Sequence, residues 1–216
     1  MALVLRLNPV QPDPVSITRA ADVLRQGGIA VFPTETVYGI GVDIRLAASA
    51  RRVYGLKCRP AELPLMVHAS DDEQLASYIA EMPEMGQRLA RAFWPGPLAL
   101  VLRRGKAVPD EAVSGGRTVG VRMVAHPVAR SLIRWLGAPL AGTSANRHGE
   151  PATSRFECID PELLAGADVA LDCGTCGSEV ASTVLDLTGD APQLVRAGAV
   201  TVEEIEAVLG SSVDRG

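Results

Sequence analysis

Four basic residues stand at or just after short apolar runs or tight turns, where ligands commonly bind in α/β sheets. They are Lys57, Arg59, Arg122 and Arg196. An arginine guanidinium can hold a carboxylate or a phosphate through two parallel hydrogen bonds, whereas a lysine ammonium acts as a point charge. Each of the four, taken singly, is equally compatible with an ordinary solvated surface cation. As a group they favour a site for an anionic ligand.

Neutral hydrogen-bonding side chains accompany these cations along the chain. Ser144 and Asn146 follow an apolar run, and Ser182 and Thr183 open another. Hydroxyl and amide groups can bind the oxygens of a ligand without adding charge to the site. They therefore extend the predicted anion site.

The stretch 32–41 reads FPTETVYGIG and brings further hydroxyls. If it stays extended, the period of two places the hydroxyls of Thr34, Thr36 and Tyr38 on one side. The glycines that follow permit a sharp turn or the close approach of a ligand to the backbone. The alternative is a threonine-rich strand end followed by a glycine turn, without a ligand.

Several familiar catalytic sites are excluded by inspection. The chain lacks the G-x-x-x-x-G-K-[ST] phosphate loop and the G-x-G-x-x-G, H-E-x-x-H and G-x-S-x-G motifs. His68, His126 and His148 are scattered, so no metal site built by the protein is predicted. Cys173 and Cys176 have C-x-x-C spacing, but no second pair completes a zinc site. We interpret them as incidental loop thiols in a reducing cytosol.

The composition is that of a globular protein with a substantial core. Of the 216 residues, 47% are hydrophobic and 21% are charged. The net charge of −4 argues against a protein that coats nucleic acid by bulk charge. No uncharged apolar run approaches the roughly 18 residues of a membrane span, and no signal-peptide pattern opens the chain. We therefore expect a cytoplasmic protein with no membrane association.

The elements that must position the site interleave along the chain. Apolar runs predict strands at 29–32, 65–68, 98–102, 118–122, 140–143, 168–172, 180–187 and 193–196. Amphipathic patterns predict a helix capped by Ser16, helices over 46–54, 71–78 and 85–93, one from 127, and one to about 209 with a capping box at Thr201 and Glu204. Lys57 and Arg59 are expected on an extended segment that projects them to the same side. The interleaving is irregular, which predicts an α/β fold with a twisted mixed sheet and packed helices.

Seven short motifs occur in an order that resembles the YrdC-like family. They are PTETVYG at 33–39, KCRP at 57–60, FWPGPL at 93–98, GVR at 120–122, SAN at 144–146, STV at 182–184 and VRAG at 195–198. Each motif is weak alone, but all of them in order are specific. The resemblance implies one domain over residues 1–216, with a core over about 15–209. It also implies a twisted mixed sheet around a large open cavity, in the short, single-domain type of the family.

The activity that this resemblance implies is a nucleotidyl transfer. The family's best-known members condense L-threonine, bicarbonate or CO2, and ATP to threonylcarbamoyl-adenylate, with release of pyrophosphate. Mg2+ is expected to accompany ATP as a cofactor, with no metal held by the protein itself. A separate threonylcarbamoyl transferase complex is the expected downstream partner, and it modifies adenosine 37 of tRNA. A direct tRNA contact is compatible with a basic cavity rim.

The family's site residues carry over to matching positions. Those that resemble ATP contacts are Lys57, Arg59, Ser144, Asn146, Pro151 and Arg196. Those that resemble the threonine pocket are Thr36, His68, Arg122, Thr143 and Ser182, with Arg122 placed to hold the amino-acid carboxylate. Lys57 and Arg59 are predicted to be catalytic, because adenylyl transfer depends on in-line positioning and on neutralising phosphate charge.

Two further features belong to the same expectation. The polar loop 147–154 is predicted to be mobile and to close over the cavity, shielding the reactive product from water. Cys58 departs from the family pattern, in which glycine is common between the two cations.

Two other functions remain open from the sequence. One is a carbamoyl-adenylate-forming relative, although such modules occur within larger chains that carry additional catalytic domains. The other is an RNA-binding or ribosome-assembly module, whose binding would be steeply salt-dependent. The acidic charge balance weakens this second alternative.

Overall fold

The computed structural model describes residues 1–215, apart from the side chain of Ala47. Within this range ten strands form one sheet. The strands are β1 Leu3–Arg6, β2 Ala30–Phe32, β3 Gly39–Asp43, β4 Met66–Ala69, β5 Leu98–Arg103, β6 Thr118–Met123, β7 Leu140–Ser144, β8 Val169–Asp172, β9 Thr183–Asp186 and β10 Gln193–Arg196. Their order across the sheet is β1-β8-β2-β3-β7-β4-β6-β5-β9-β10.

The sheet is mixed, as the interleaved pattern predicts. Four neighbouring pairs are parallel, namely β1 with β8, β2 with β8, β4 with β6, and β5 with β9. The other five pairs are antiparallel. The predicted α/β fold with a mixed sheet and packed helices is confirmed.

Seven helices pack on this sheet within residues 1–215. They are α1 Pro14–Arg25, α2 Ala47–Lys57, α3 Asp72–Leu75, α4 Glu84–Phe93, α5 Pro127–Leu136, α6 Pro161–Gly166 and α7 Val202–Leu209. None of them is both long enough and apolar enough to cross a membrane.

The period of two along the strands separates the core into two clusters, one on each face of the sheet. In β2, Val31 belongs to the larger cluster, whereas Ala30 and Phe32 belong to the smaller one. The smaller cluster includes apolar side chains of α1 and α5, and the larger includes those of α2, α4 and α7. The buried strands between these layers give the site a rigid base.

Several element boundaries differ from the sequence-based prediction. The cap of α1 is Asp13 instead of Ser16, since its carboxylate accepts hydrogen bonds from the amides of Val15 and Ser16 and Pro14 occupies the first turn. The capping box that begins α7 is confirmed. Neither β1 nor α6 is predicted by the patterns described above.

Strand β3 is also absent from the prediction, because its glycines are typical of a turn. It lies between β2 and β7, and Gly41 pairs with Gly142 of β7. A Cβ atom on Gly41 would lie only 2.8 Å from the carbonyl oxygen of Ala141. Glycine is therefore required here by the close approach of two strands.

Candidate functional site

A cleft of about 340 Å3 opens beside β3, β4, β6 and β7. Such a volume is within the usual range for small-molecule sites, about 300–1,000 Å3. Nine of the eleven predicted site residues line it, namely Thr36, Arg59, His68, Arg122, Thr143, Ser144, Asn146, Ser182 and Arg196. Residues from the first to the last third of the chain therefore meet at one cavity.

The deepest part of the cleft, which we call the floor, consists of Thr36, His68, Arg122 and Ser182. All four are buried. His68 and Arg122 lie side by side because β4 and β6 pair in parallel register. The Nη1 atom of Arg122 donates a hydrogen bond to Thr36 Oγ1 at 3.2 Å. His68 and Arg122 are thus fixed by the sheet before any ligand arrives.

Glu35 is the carboxylate that faces this buried arginine. Its Oε1 lies 3.8 Å from Arg122 Nε, and its Oε2 accepts a hydrogen bond from the amide of Ala125 at 2.9 Å. Three buried atoms here have no hydrogen-bond partner among the described residues: Glu35 Oε1, Arg122 Nε and His68 Nδ1. Because unpaired buried polar atoms are costly, they indicate a polar ligand that would complete the floor.

The protonation of the floor follows from its burial. Burial, followed by repulsion from Arg122, lowers the pKa of His68 to about 3. His68 is therefore neutral near pH 7, and its ring packs edge-on against Phe32. Burial also lowers the pKa of Arg122, while the Glu35 carboxylate acts in the opposite direction. Arginine nevertheless stays protonated in proteins, so the floor presents one fixed positive charge.

The segment before β3 bends instead of continuing as a strand, so the extended arrangement of Thr34, Thr36 and Tyr38 is wrong. The hydroxyls of Thr34 and Thr36 lie 2.9 Å apart, and Thr34 Oγ1 donates to the carbonyl of Val37. The Tyr38 hydroxyl donates to the carbonyl of Gly174 instead. Two of the three hydroxyls still converge, but they do so through a turn.

The outer part of the cleft, which we call the rim, consists of Arg59, Ser144, Asn146 and the segment 150–152. Ser144 ends β7. Arg59 donates to the carbonyls of Leu63 and Pro64, at 3.1 and 3.0 Å. Burial lowers the pKa of Arg59, which indicates a guanidinium that is partly shielded from water. The rim thus depends on loops and helix ends more than on strands.

Lys57 lies behind the rim and not among the residues that line the cleft. It is the last residue of α2, and Cys58 caps this helix in a left-handed conformation with φ of 50°. The expected extended segment with Lys57 and Arg59 on one side is therefore wrong. The Lys57 ammonium donates hydrogen bonds to the carbonyls of Ser144 and Asn146. Burial, followed by repulsion from Arg59, lowers the pKa of Lys57 to about 8.

Arg196 lines the cleft beside the floor. Its Nη2 atom donates to the carbonyl and the hydroxyl of Ser182, at 2.7 and 3.0 Å. Burial lowers the pKa of Arg196, and repulsion from Arg122 acts in the same direction. Two neighbouring guanidiniums therefore face a cleft that favours an anion.

The loop 147–154 passes over the rim. Glu150 and Ala152 line the cleft, whereas Pro151 between them is exposed and is not among the lining residues. The loop is tied at its far end, since the Thr153 carbonyl accepts from the amide of Tyr38 and the Ser154 carbonyl from that of Cys176. Its predicted mobility stays a prediction.

Sequence reasoning missed two side chains that the structure adds: Glu35 beside Arg122, and Glu150 on the loop over the rim. Glu35 lies within the PTETVYG motif, and Glu150 lies within the loop predicted to close over the cavity, so these were the available signals. Thr34, named above for its hydroxyl, also lines the cleft. Across residues 1–215, no group of three or more His, Cys, Asp or Glu side chains is arranged to hold a metal ion.

The cleft and its motifs can be compared with known proteins. A family model for Sua5, YciO and YrdC, described as telomere recombination, matches residues 22–198. The chain belongs to this family. The resemblance drawn from the seven motifs is thereby confirmed.

Relatives in this family carry consistent names. The threonylcarbamoyl-AMP synthase of Bacillus subtilis is 40% identical over 202 residues, which cover 93% of this chain and 58% of the relative. That of Halorhodospira halophila is 43% identical over 167 residues, covering 72% of this chain and 87% of the relative. The crystal structure of Pyrococcus abyssi Sua5 complexed with L-threonine superposes with a TM-score of 0.93 at 37% identity. That alignment covers 98% of this chain and 62% of the other.

This chain therefore spans a little over half the length of the B. subtilis relative. The single-domain organisation predicted for residues 1–216 stays a prediction, and Gly216 lies outside the described residues.

Proposed function

We propose that this chain condenses L-threonine, bicarbonate or CO2, and ATP to threonylcarbamoyl-adenylate and pyrophosphate. The observation that carries the proposal is the convergence of two different sets of polar groups on one cleft. The floor offers a buried arginine, a neutral histidine and two hydroxyls, which suit a small amino acid. The rim offers Arg59 with Ser144 and Asn146, which suit a nucleotide.

Threonine is proposed to bind at the floor. Its carboxylate pairs with Arg122, since a guanidinium can hold both carboxylate oxygens. The unpartnered Nδ1 of His68 and the hydroxyls of Thr36 and Ser182 remain for the amino acid's own polar groups. Thr143 lines the cleft between the floor and the rim and is assigned to the same pocket.

The first chemical step is the formation of a carbamate. The neutral amine of threonine forms a C–N bond to CO2 and releases a proton to water. The cleft supports this step by holding the amine close to the nucleotide, which replaces an encounter of separate molecules with a fixed geometry.

The second step is adenylyl transfer. A carbamate oxygen forms a bond to the α-phosphorus of ATP, the bond from that phosphorus to the bridging oxygen breaks, and pyrophosphate leaves. Arg59 and Arg196 stabilise the charge that builds up on the phosphate oxygens. Mg2+ is proposed to enter on the phosphates of ATP, where it neutralises part of this charge.

The later steps lie outside this chain. We propose that a separate threonylcarbamoyl transferase complex takes up the adenylate and modifies tRNA in the cytoplasm. The reactive adenylate needs protection from water until then, which supports a role for the loop 147–154 over the rim.

Pyrophosphate release tests this function. The purified chain should release pyrophosphate only with ATP, Mg2+, bicarbonate and L-threonine together, and mass spectrometry should detect threonylcarbamoyl-adenylate. Release without threonine would instead indicate carbamoyl-adenylate formation. Salt-sensitive RNA binding without any release would favour the RNA-binding alternative.

A further inference from the structure

The ammonium of Lys57 is already fully engaged inside the protein. Lys57 is 1% exposed at the end of α2. Its Nζ donates to the carbonyl oxygens of Ser144 and Asn146. The side-chain oxygen of Asn146 lies 3.5 Å from the same nitrogen. An ammonium has three N–H donors, so these three acceptors account for all of them.

The backbone of Lys57 binds the same part of the chain. Its carbonyl oxygen accepts a hydrogen bond from the amide of His148 at 3.2 Å. The side-chain and main-chain contacts of Lys57 together reach three residues within five positions, from 144 to 148. The end of α2 is therefore attached to this segment at several points.

Asn146 extends these contacts into the loop over the rim. Its Nδ2 donates to the carbonyls of Arg147 and Glu150, at 2.9 and 2.6 Å. Lys57 contacts Asn146, and Asn146 in turn contacts the residue at which the loop reaches the cleft. A continuous set of hydrogen bonds thus runs from α2 to Glu150.

The contacts of Arg59 differ from those of Lys57. The side chain of Arg59 lines the cleft itself. Lys57 does not line it, but holds the segment from which Ser144, Asn146 and Glu150 do. For Lys57 to reach a phosphate, it would have to leave the carbonyls of Ser144 and Asn146. Those carbonyls, on partly buried residues, would then lose their hydrogen bonds to the ammonium, which is unfavourable.

We propose that Lys57 is a positioning residue, which fixes the segment 144–150 at the nucleotide side of the cleft and does not itself bind the phosphates of ATP. The proposal rests on the function proposed above, because it assigns the segment to ATP. The phosphate charge is then met by Arg59 and Arg196, and Lys57 determines where Ser144 and Asn146 lie.

The test compares Lys57→Met with a matched control, Arg52→Met. Methionine keeps much of the length of the side chain but removes its charge and donors. Arg52 is on the same helix and also donates to a carbonyl, that of Gly27 at 2.8 Å, away from the cleft. ATP affinity and threonine affinity are measured by calorimetry, and the segment is followed by hydrogen exchange in the protein without ligand.

Lys57→Met is expected to accelerate amide exchange in 144–150 at least tenfold before any ligand is added. The substitution should weaken ATP binding at least tenfold and change threonine binding less than twofold. The slope of ATP affinity against salt concentration should be the same as in the wild type. The effect of the substitution should also be non-additive with Asn146→Ala, because both act on one network. Arg52→Met should change none of these quantities more than twofold.

Unchanged exchange together with a shallower salt dependence would overturn the proposal, since both indicate a direct phosphate contact. If Lys57→Met does not fold, NMR of the wild-type lysine ammonium groups decides the matter. A Lys57 ammonium signal that ATP leaves in place supports the proposal, and coupling to phosphorus overturns it. A wild type that binds ATP but forms no adenylate contradicts the proposed function alone, because every readout here measures binding or exchange.

Discussion

The floor and the rim of the cleft are built in different ways. Three of the four floor side chains come from strands or lie next to one, and all four are buried. Rim residues come from a helix end, a strand end and a loop, and Arg59, Ser144 and Asn146 are partly accessible. The floor therefore has a fixed shape, whereas the rim depends on local hydrogen bonds for its shape.

This difference separates recognition from reaction. A small amino acid can be selected by a rigid, buried set of groups, because buried polar atoms penalise any ligand that leaves them unpaired. Under the proposed function, ATP has to enter and react, and both pyrophosphate and the adenylate have to leave, which a more accessible region permits. Substitutions at the floor should consequently act on threonine, and substitutions at the rim should act on ATP.

The largest expected effect is that of Arg122→Gln at the floor. Removing one partner of a buried charge pair typically costs about 2–5 kcal/mol, so the KM for threonine should rise roughly 30-fold or more. ATP affinity should change little. Steady-state kinetics with each substrate varied in turn measures both values. Arg103→Gln, an exposed position on the neighbouring β5, is the control, and an equal loss for both substrates would remove the distinction between floor and rim.

A smaller effect is expected for Arg59→Ala at the rim. Loss of a preorganised donor to the reacting phosphate should lower kcat by about 10². The affinity for threonine, measured by calorimetry, should stay within twofold because Arg59 does not belong to the floor. Arg51→Ala on α2, whose partner is Glu111, serves as the control. Unaltered turnover in the Arg59 variant would show that the rim does not stabilise charge in the transition state.

Glu35→Gln tests the electrostatic support of the floor. The variant keeps an oxygen for the amide of Ala125 but leaves Arg122 without its facing carboxylate. At 3.8 Å the pair is looser than a well-formed buried one, so we expect a loss of about 1–2 kcal/mol, below the roughly 3–5 kcal/mol of a tight pair. Thermal unfolding should show a lower Tm for the variant, and a Tm equal to that of the wild type would contradict the assignment.

The pH dependence of the rim follows from Lys57. Its pKa in the folded protein, about 8, lies below the ordinary lysine value of 10.5, so the unfolded chain binds more protons between these values. The free energy of unfolding attributable to this group should therefore rise from about pH 8 to 10.5. The kcat/KM for ATP should fall around pH 8, because the folded protein loses the Lys57 ammonium there, and threonine affinity should be unaffected. A kcat/KM that is flat to pH 10 would contradict this reading.

The smallest effect is expected for Cys58→Gly. Cys58 adopts φ of 50°, which glycine accepts without steric cost. The change should raise the free energy of unfolding by up to about 1 kcal/mol, or about 2–4 °C in Tm. Calorimetry measures this shift. Cys158→Gly, at another exposed thiol, should give no such gain, and a gain in both would point to a cause other than the helix cap.

Much of this fold could be predicted because its signals are local. The capping box of α7 needs only Thr201 and Glu204, and the buried runs at β5 and β8 are plain in the sequence. It could also be predicted that the site residues meet at one cavity, because the order of the motifs resembles that of a known family. What failed depends on contacts between distant segments.

Lys57 shows most clearly where prediction from sequence ended. The helix predicted over 46–54 stops before Gly55, but α2 continues to Lys57, and the amide of Arg59 then donates to the carbonyl of Tyr54. The direction of the Lys57 side chain then depends on the carbonyls of Ser144, at the end of β7, and of Asn146, whose positions no local pattern gives. In the same way, β3 could not be predicted from its own residues, because it is defined by its pairing with the distant strand β7.

The facing glycines of β3 and β7 limit how this protein can diverge. A side chain on Gly41 would meet the carbonyl of Ala141, and one on Gly142 would come within 2.9 Å of the carbonyl of Ile40. Even alanine, which adds only a Cβ atom, would clash with the facing strand at either position. Any descendant that accepts a bulkier amino acid would therefore have to change the loops around the opening, while these two positions stay as they are.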